Sequence, residues 1–91
     1  MRKQKWDYAI EVFEAVGNTQ KLLEVGDQCL NERQLGYAAK AYELASDKSR
    51  LNILGDTCLR EGLLATAMQA YTAAGNEMMV QFIKQNFGKS G

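Results

Sequence analysis

The residues best suited to chemistry in this sequence are two aspartates and two cysteines in matching positions. The pentapeptides GDQCL and GDTCL, which begin at Gly26 and Gly55, contain Asp27 with Cys29 and Asp56 with Cys58. Paired carboxylates can perform acid–base catalysis, and a thiolate can act as a nucleophile or a metal ligand. The sequence has no histidine, so a serine or cysteine nucleophile activated by imidazole is excluded.

The cysteines fit a structural role better than a chemical one. A structural zinc site needs four donors, usually with close pairs such as C-x-x-C, and this spacing is absent. Packed helices lie about 8–10 Å apart, whereas the Cα atoms of a disulfide lie within about 7 Å. We therefore predict that Cys29 and Cys58 are buried, unpaired thiols.

The two aspartates leave three interpretations open. Equivalent positions in successive repeats would place Asp27 and Asp56 on the same side of neighbouring helices, where they could face water, contact a basic peptide or act in acid–base catalysis. A solvated face is favoured over a peptide contact, and both over catalysis. Because no phosphate-binding glycine loop, metal loop or dinucleotide motif is present, we predict no catalytic residue, no cofactor and no metal ion.

These residues belong to an internal repeat with a period of twenty-nine residues, the distance in sequence from Gly26 to Gly55. A segment with small and aromatic residues follows each pentapeptide, and a third copy of this segment precedes the first pentapeptide. The equivalent residues of the three copies are Ala9, Val12, Phe13 and Val16; Ala38, Ala41, Tyr42 and Ala45; and Ala67, Ala70, Tyr71 and Ala74. A fixed period of this size is typical of stacked-repeat proteins, whose units bury their apolar faces against each other. The tyrosines, set among alanines, are therefore predicted to be interior rather than a stacking platform for bases.

The apolar spacing predicts an all-α fold with six helices. Apolar residues recur at intervals of three and four, and no segment alternates as a strand would. The predicted helices span residues 5–16, 19–30, 35–45, 48–60, 63–74 and 77–87. The first has an apolar stripe that includes Trp6, Ile10 and Val16; Gly17 ends it, and Asn18 and Asp47 are candidate caps for the second and fourth helices. The whole chain, residues 1–91, is interpreted as one domain.

The repeat resembles the tetratricopeptide pattern, since Gly26, Ala38, Tyr42 and Ala45, and their counterparts one period later, fall where that family has its small and aromatic residues. The usual period of the family is about 34 residues with a closing proline; this chain has a shorter period and no proline. In this respect it is similar to the α-solenoid repeats of vesicle-coat and intraflagellar-transport subunits. The resemblance implies three antiparallel hairpins in a short right-handed α-solenoid.

The resemblance also implies a non-catalytic scaffold that binds a partner protein or peptide in an inner groove. By analogy with the tetratricopeptide groove, the candidate contacts lie on the second, fourth and sixth helices: Gln20, Leu23, Asp27, Ser49, Asn52, Asp56, Gln81 and Gln85. The alternative is self-association, in which the apolar end helices, around Trp6 and residues 79–82, stack on another copy to form a homo-oligomer.

Composition narrows the class of partner further. The 11 basic and 11 acidic residues give a formal charge of zero, which offers no long-range attraction to nucleic acid or to an anionic membrane. The basic residues near the start, Arg2, Lys3 and Lys5, are interpreted as a solvated end. No apolar run approaches the roughly 20 residues of a membrane span, and no signal peptide is recognised. We therefore expect a cytoplasmic protein with a protein or peptide partner, no nucleic-acid partner and no membrane insertion.

Overall fold

A computed structural model of the protein describes residues 5–87. This part of the chain forms six α-helices and no strand, which confirms the predicted all-α class. The helices are α1 (Lys5–Ala15), α2 (Thr19–Asn31), α3 (Leu35–Ala45), α4 (Lys48–Arg60), α5 (Leu64–Ala73) and α6 (Glu77–Phe87). Their bounds differ from the predicted ones by at most one residue at an end. Arg2, Lys3 and the last four residues lie outside the described part.

The repeat period recurs in the backbone of the loops. After α1, α3 and α5 the chain enters the left-handed region at one equivalent residue, with φ of 68° at Gly17, 57° at Ser46 and 71° at Gly75. The amide of the following residue then donates to the carbonyl of the aromatic residue five positions earlier: Asn18 to Phe13 at 2.9 Å, Asp47 to Tyr42 at 3.2 Å and Asn76 to Tyr71 at 2.9 Å. These bonds close each helix with a Schellman motif.

Side-chain caps start the next helix in each copy. The side-chain oxygen of Asn18 accepts from the amide of Lys21, and Asp47 and Asn76 accept in the same way three residues on, as the sequence predicted for Asn18 and Asp47. The turns inside the hairpins also match, since Arg33 and Gly62 both have positive φ. Each junction is thus closed by hydrogen bonds within a few residues of sequence.

The helices pack as pairs. Helix α2 packs most extensively on α3, and α4 on α5, while α3 also contacts α1 and α5. The described chain is elongated, with principal extents of 43, 27 and 21 Å. The predicted arrangement of three antiparallel hairpins in a right-handed α-solenoid stays a prediction.

The core combines aliphatic side chains and Trp6 with small alanines, two tyrosines and the two cysteines. Tyr42 and Tyr71 are almost fully buried, as predicted, and each ring packs against a glycine of the preceding helix. A Cβ atom placed on Gly26 would lie 2.7 Å from Tyr42 Cδ1, and one on Gly55 would lie 2.6 Å from Tyr71 Cε1. Glycine is therefore needed in the middle of α2 and α4 because a tyrosine ring occupies the space of its side chain, despite its cost of about 1 kcal/mol in a helix.

One predicted core position is wrong. Val16 was placed on the apolar stripe of the first helix, but α1 ends at Ala15 and Val16 is 69% exposed. The stripe itself is correct at Trp6 and Ile10, which are both buried. At the equivalent positions of the later repeats Ala45 is partly buried and Ala74 is 7% exposed. The difference arises because α3 and α5 each follow a helix pair in the chain, whereas among the described residues α1 follows none.

Candidate interaction surface

A cluster of hydrogen-bonded polar side chains around Asp27 joins α2 to the start of α4. The guanidinium of Arg50 donates from Nε to Asp27 Oδ1 at 2.9 Å and from Nη2 to Asp27 Oδ2 at 3.1 Å. Its Nη1 atom donates to Asp47 Oδ2 at 2.8 Å. The hydroxyl of Tyr42 donates to Asp27 Oδ1 at 2.6 Å. Arg50 therefore links two successive repeats through a bidentate contact.

The electrostatics keep this cluster charged at neutral pH. Hydrogen bonding from Arg50 lowers the pKa of Asp27 from its usual value, with burial acting in the opposite direction and the Tyr42 hydroxyl assisting. The pKa of Asp47 is lowered first by the backbone amide of Arg50 and then by its side chain. Burial, followed by the hydrogen bond to Asp27, raises the pKa of Tyr42 well above its usual value. At neutral pH the tyrosine is thus a hydrogen-bond donor and the two aspartates are acceptors.

A surface cleft of about 450 Å³ lies beside this cluster. Its charged wall is formed by Asp27, Asp47 and Arg50, and its other lining includes Leu30, Ser49 and Ile53. Ile53 is 56% exposed, so an apolar side chain stands next to a fixed group of charges. Such a combination can hold an apolar side chain of a ligand while hydrogen bonds fix its orientation.

The second repeat has the same aspartate–tyrosine contact without the arginine. The Tyr71 hydroxyl donates to Asp56 Oδ1 at 2.5 Å. The residue equivalent to Arg50 is Met79, which carries no charge. In this repeat the link to the next helix is an amide contact instead, in which Asn76 Nδ2 donates to Asn52 Oδ1 at 2.8 Å.

The other candidate residues are dispersed. Gln20 and Gln85 are exposed, and Leu23 is half-buried against the core. Gln81 lines a smaller cavity of about 180 Å³ together with Glu77 and Lys84. Of the eight candidates, the main cleft brings together only Asp27 and Ser49.

Sequence reasoning missed three residues of this surface. Arg50 was not identified because its contact with Asp27 spans 23 residues and depends on side-chain conformation. Ile53 and Phe82 occupy one equivalent position and are both exposed, at 56% and 43%. Their common register, three residues after Arg50 and Met79, was available in the sequence as a signal of an apolar line along α4 and α6.

The cysteines are poorly suited to chemistry. Both are free and fully buried, as predicted. Burial raises the pKa of Cys29 to about 11 and raises that of Cys58 in the same direction. Since the thiolate is the reactive form, both remain inert thiols at neutral pH. Over residues 5–87, no group of three or more histidine, cysteine, aspartate or glutamate side chains is arranged to hold a metal ion.

The helices are also too short or too polar to cross a bilayer, within the described range. Comparisons of the chain with protein-family models, with curated proteins and with solved structures gave no match.

Proposed function

We propose that this chain is a non-catalytic protein-interaction module that binds a segment of a partner protein along α2, α4 and α6. The observation that carries the proposal is the cleft beside Asp27 and Arg50, where an exposed isoleucine adjoins charges that are already oriented by hydrogen bonds. Because the guanidinium is held before any ligand arrives, little side-chain entropy is lost on binding.

The partner segment expected here has an apolar side chain for the Ile53 and Leu30 side of the cleft. It also carries a hydrogen-bond donor or a basic group, since the cleft contains two carboxylates and one guanidinium. Two buried, unpaired thiols fit a reducing compartment, so we place this interaction in the cytoplasm.

A selection from random peptides displayed on phage tests the proposal without a known partner. The immobilised chain should enrich peptides with these features, and calorimetry should show that Ile53→Asp weakens their binding by about tenfold or more. Gln69→Ala, an exposed position on α5, is the matched control and should leave the affinity unchanged. Enriched peptides that bind Ile53→Asp as well as the original chain would contradict the cleft assignment.

Self-association is a second candidate, because α6 exposes apolar side chains. Met78 is 79% exposed and Phe87 is 51% exposed, with the Phe87 ring edge-on to Phe82. Sedimentation equilibrium at micromolar concentrations tests it: a dimer lost in a Met78→Glu/Phe82→Glu variant supports this candidate, and a monomer at all concentrations rejects it.

A further inference from the structure

The outer side of α1 is an apolar face that the later repeats keep covered. We call Ala9, Val12, Phe13 and Val16 the open face. Val12 is 56% exposed and Val16 is 69% exposed. Ala9 and Phe13 are partly buried against the core. In the positions of α3 and α5 equivalent to Val12, Ala41 and Ala70 are completely buried; at the position of Val16, Ala74 is 7% exposed and Ala45 is partly buried. The position of Val12 is thus core in two copies and surface in the first.

The difference follows from the packing order. Helix α3 lies between a preceding pair, α1 and α2, and a following pair, α4 and α5. Within the described chain, α1 has only the following pair, α2 and α3. The open face is therefore the side that meets the preceding helices in the complete copies, where α2 covers α3 and α4 covers α5.

The complete copies show what kind of helix covers this side. In each, a glycine of the covering helix receives an aromatic ring, Tyr42 on Gly26 and Tyr71 on Gly55. The aromatic residue in the equivalent position of α1 is Phe13, which is half-buried. A helix without glycine at that point would bring a Cβ atom against the ring of Phe13, as it would against the tyrosines in the complete copies.

The rest of the covering helix has a fixed pattern. Buried apolar residues stand four positions and one position before the glycine. They are Leu22 and Val25 in α2, and Leu51 and Leu54 in α4. Three residues after the glycine is a fully buried cysteine. The aspartate that follows the glycine accepts the tyrosine hydroxyl; Phe13 has no hydroxyl, so the occupant of the open face does not need this acid.

A second copy of the chain does not match this pattern. Its α2 and α4 already cover α3 and α5. Helix α6, the remaining one of the same type, has Lys84 in place of the glycine and Phe87 in place of the buried cysteine. A lysine and a phenylalanine at these places do not match the glycine and the small buried residue of the covering helices, so α6 of a second copy does not fit the open face.

We propose that the open face of α1 binds an amphipathic helix of a partner protein with the pattern apolar-x-x-apolar-Gly-x-x-small, whose glycine lies against Phe13. This helix takes the place that α2 has on α3, and so continues an interface that the chain already contains twice. The open face is separate from the cleft at Ile53, and the two interactions are independent.

A synthetic helix derived from α4 tests the proposal directly. The probe is the peptide of residues 47–60, held helical by a hydrocarbon staple between its exposed positions 49 and 53, because a free helix of this length is marginal in water. Isothermal titration should show that it binds the full chain. A control peptide that differs only by Gly55→Leu should bind about tenfold more weakly or worse; it alters the contact without changing the protein.

The protein variants complete the test. Val12→Asp/Val16→Asp should weaken peptide binding by about tenfold or more, with circular dichroism confirming that the helices persist. Leu44→Asp is the matched control, since Leu44 is an exposed apolar residue of α3 that belongs neither to the open face nor to the lining of the cleft, and it should leave peptide binding unchanged. No binding to the original chain, or equal binding by the Gly55→Leu peptide, would overturn the proposal. It would equally fail if sedimentation showed a dimer that Val12→Asp/Val16→Asp abolishes, because the occupant would then be a second copy.

Discussion

The two complete repeats contain the same buried tyrosine and differ in one charge. In the first, Asp27 accepts from Tyr42 and from Arg50; in the second, Asp56 accepts from Tyr71, and Met79 stands where the arginine would be. The shared part, glycine, aspartate and tyrosine, is needed to pack one helix on another. The arginine is an addition at a single junction, and this is where the larger cleft lies. The comparison separates residues that build the repeat from a residue that distinguishes one surface from the next.

The largest expected effect comes from filling the space under a tyrosine. Gly26→Val and Gly55→Val should each lower the free energy of unfolding by about 1–3 kcal/mol, because the added side chain displaces a fully buried ring. Urea denaturation measures this.

Gly36 provides the matched control. It is a helical glycine at which an added Cβ would meet no packed neighbour within 4 Å, so Gly36→Ala should stabilise the protein by up to about 1 kcal/mol. If Gly36→Ala and Gly55→Val had equal effects, steric contact with the ring would not be the reason for the repeated glycine.

Removing one hydroxyl should have the next largest effect. Tyr42→Phe and Tyr71→Phe should each cost about 1 kcal/mol of unfolding free energy through loss of a hydrogen bond to a carboxylate. Equal costs would place this contact in the shared framework. A clearly larger cost for Tyr42→Phe would show that Arg50 strengthens the first contact.

Because of the same two hydroxyls, we expect the unfolding free energy to fall at alkaline pH. Burial and a neighbouring aspartate raise the pKa of Tyr42 and of Tyr71 above the unfolded value of about 10. Their stabilisation is therefore complete below about pH 10 and is lost as the pH rises towards the folded pKa values. The decline in unfolding free energy between neutral pH and pH values above about 10 should be smaller in Tyr42→Phe/Tyr71→Phe. If the decline were the same in this variant, titratable groups other than these two hydroxyls would cause it.

Replacing Arg50 by the residue of the equivalent position in the second repeat should have a smaller effect on stability. Arg50→Met introduces the residue of the equivalent position, and should cost less than about 1 kcal/mol because the side chains of Arg50 and Asp27 are 38% and 46% exposed. The pKa of Asp27 is lowered mainly by Arg50, so this stabilisation is present above the unfolded value of about 4 and is lost as the pH falls through the folded pKa. An NMR titration of the Asp27 carboxyl should give a higher pKa in Arg50→Met, and an unchanged pKa would contradict the assigned cause.

The smallest effect should come from a backbone position that differs between the copies. Ser46 adopts a left-handed φ of 57° where the other copies have Gly17 and Gly75. Ser46→Gly should therefore stabilise the protein by a few tenths to about 1 kcal/mol, because glycine carries no steric penalty there. Gly75→Ser should destabilise it by a similar amount. Thermal unfolding of both variants measures these two changes in stability. If the two changes had the same sign, the backbone angle would not be their cause.

Local pattern was sufficient to predict most of the fold. Helix type, the caps at Asn18 and Asp47 and the burial of Tyr42 depend on residues close in sequence or on the repeat, and the structure confirms them. The error at Val16 has a different origin, since burial at that position depends on a neighbouring helix and not on the residue itself.

The candidate surface was less predictable. The interpretations of Asp27 and Asp56 did not include the tyrosine hydroxyl, because a hydrogen bond across 15 residues requires the helix packing to be known. Arg50 was missed for the same reason. The exposed residues Ile53 and Phe82 share one position of the repeat, so the sequence contained a signal for them that the analogy with the tetratricopeptide groove did not include.

The closed loops have a consequence for how such a chain can change in length. Each junction after α1, α3 and α5 is completed by bonds between residues that lie within a few positions of one another. Copying residues 18–46 in tandem would join Ser46 to Asn18, a junction of the same kind as Gly17 to Asn18, and would bring its own glycine for the next aromatic ring. Whole units can therefore be gained or lost by a single duplication or deletion without redesigning any turn, and the length of the chain can evolve in steps of one repeat period.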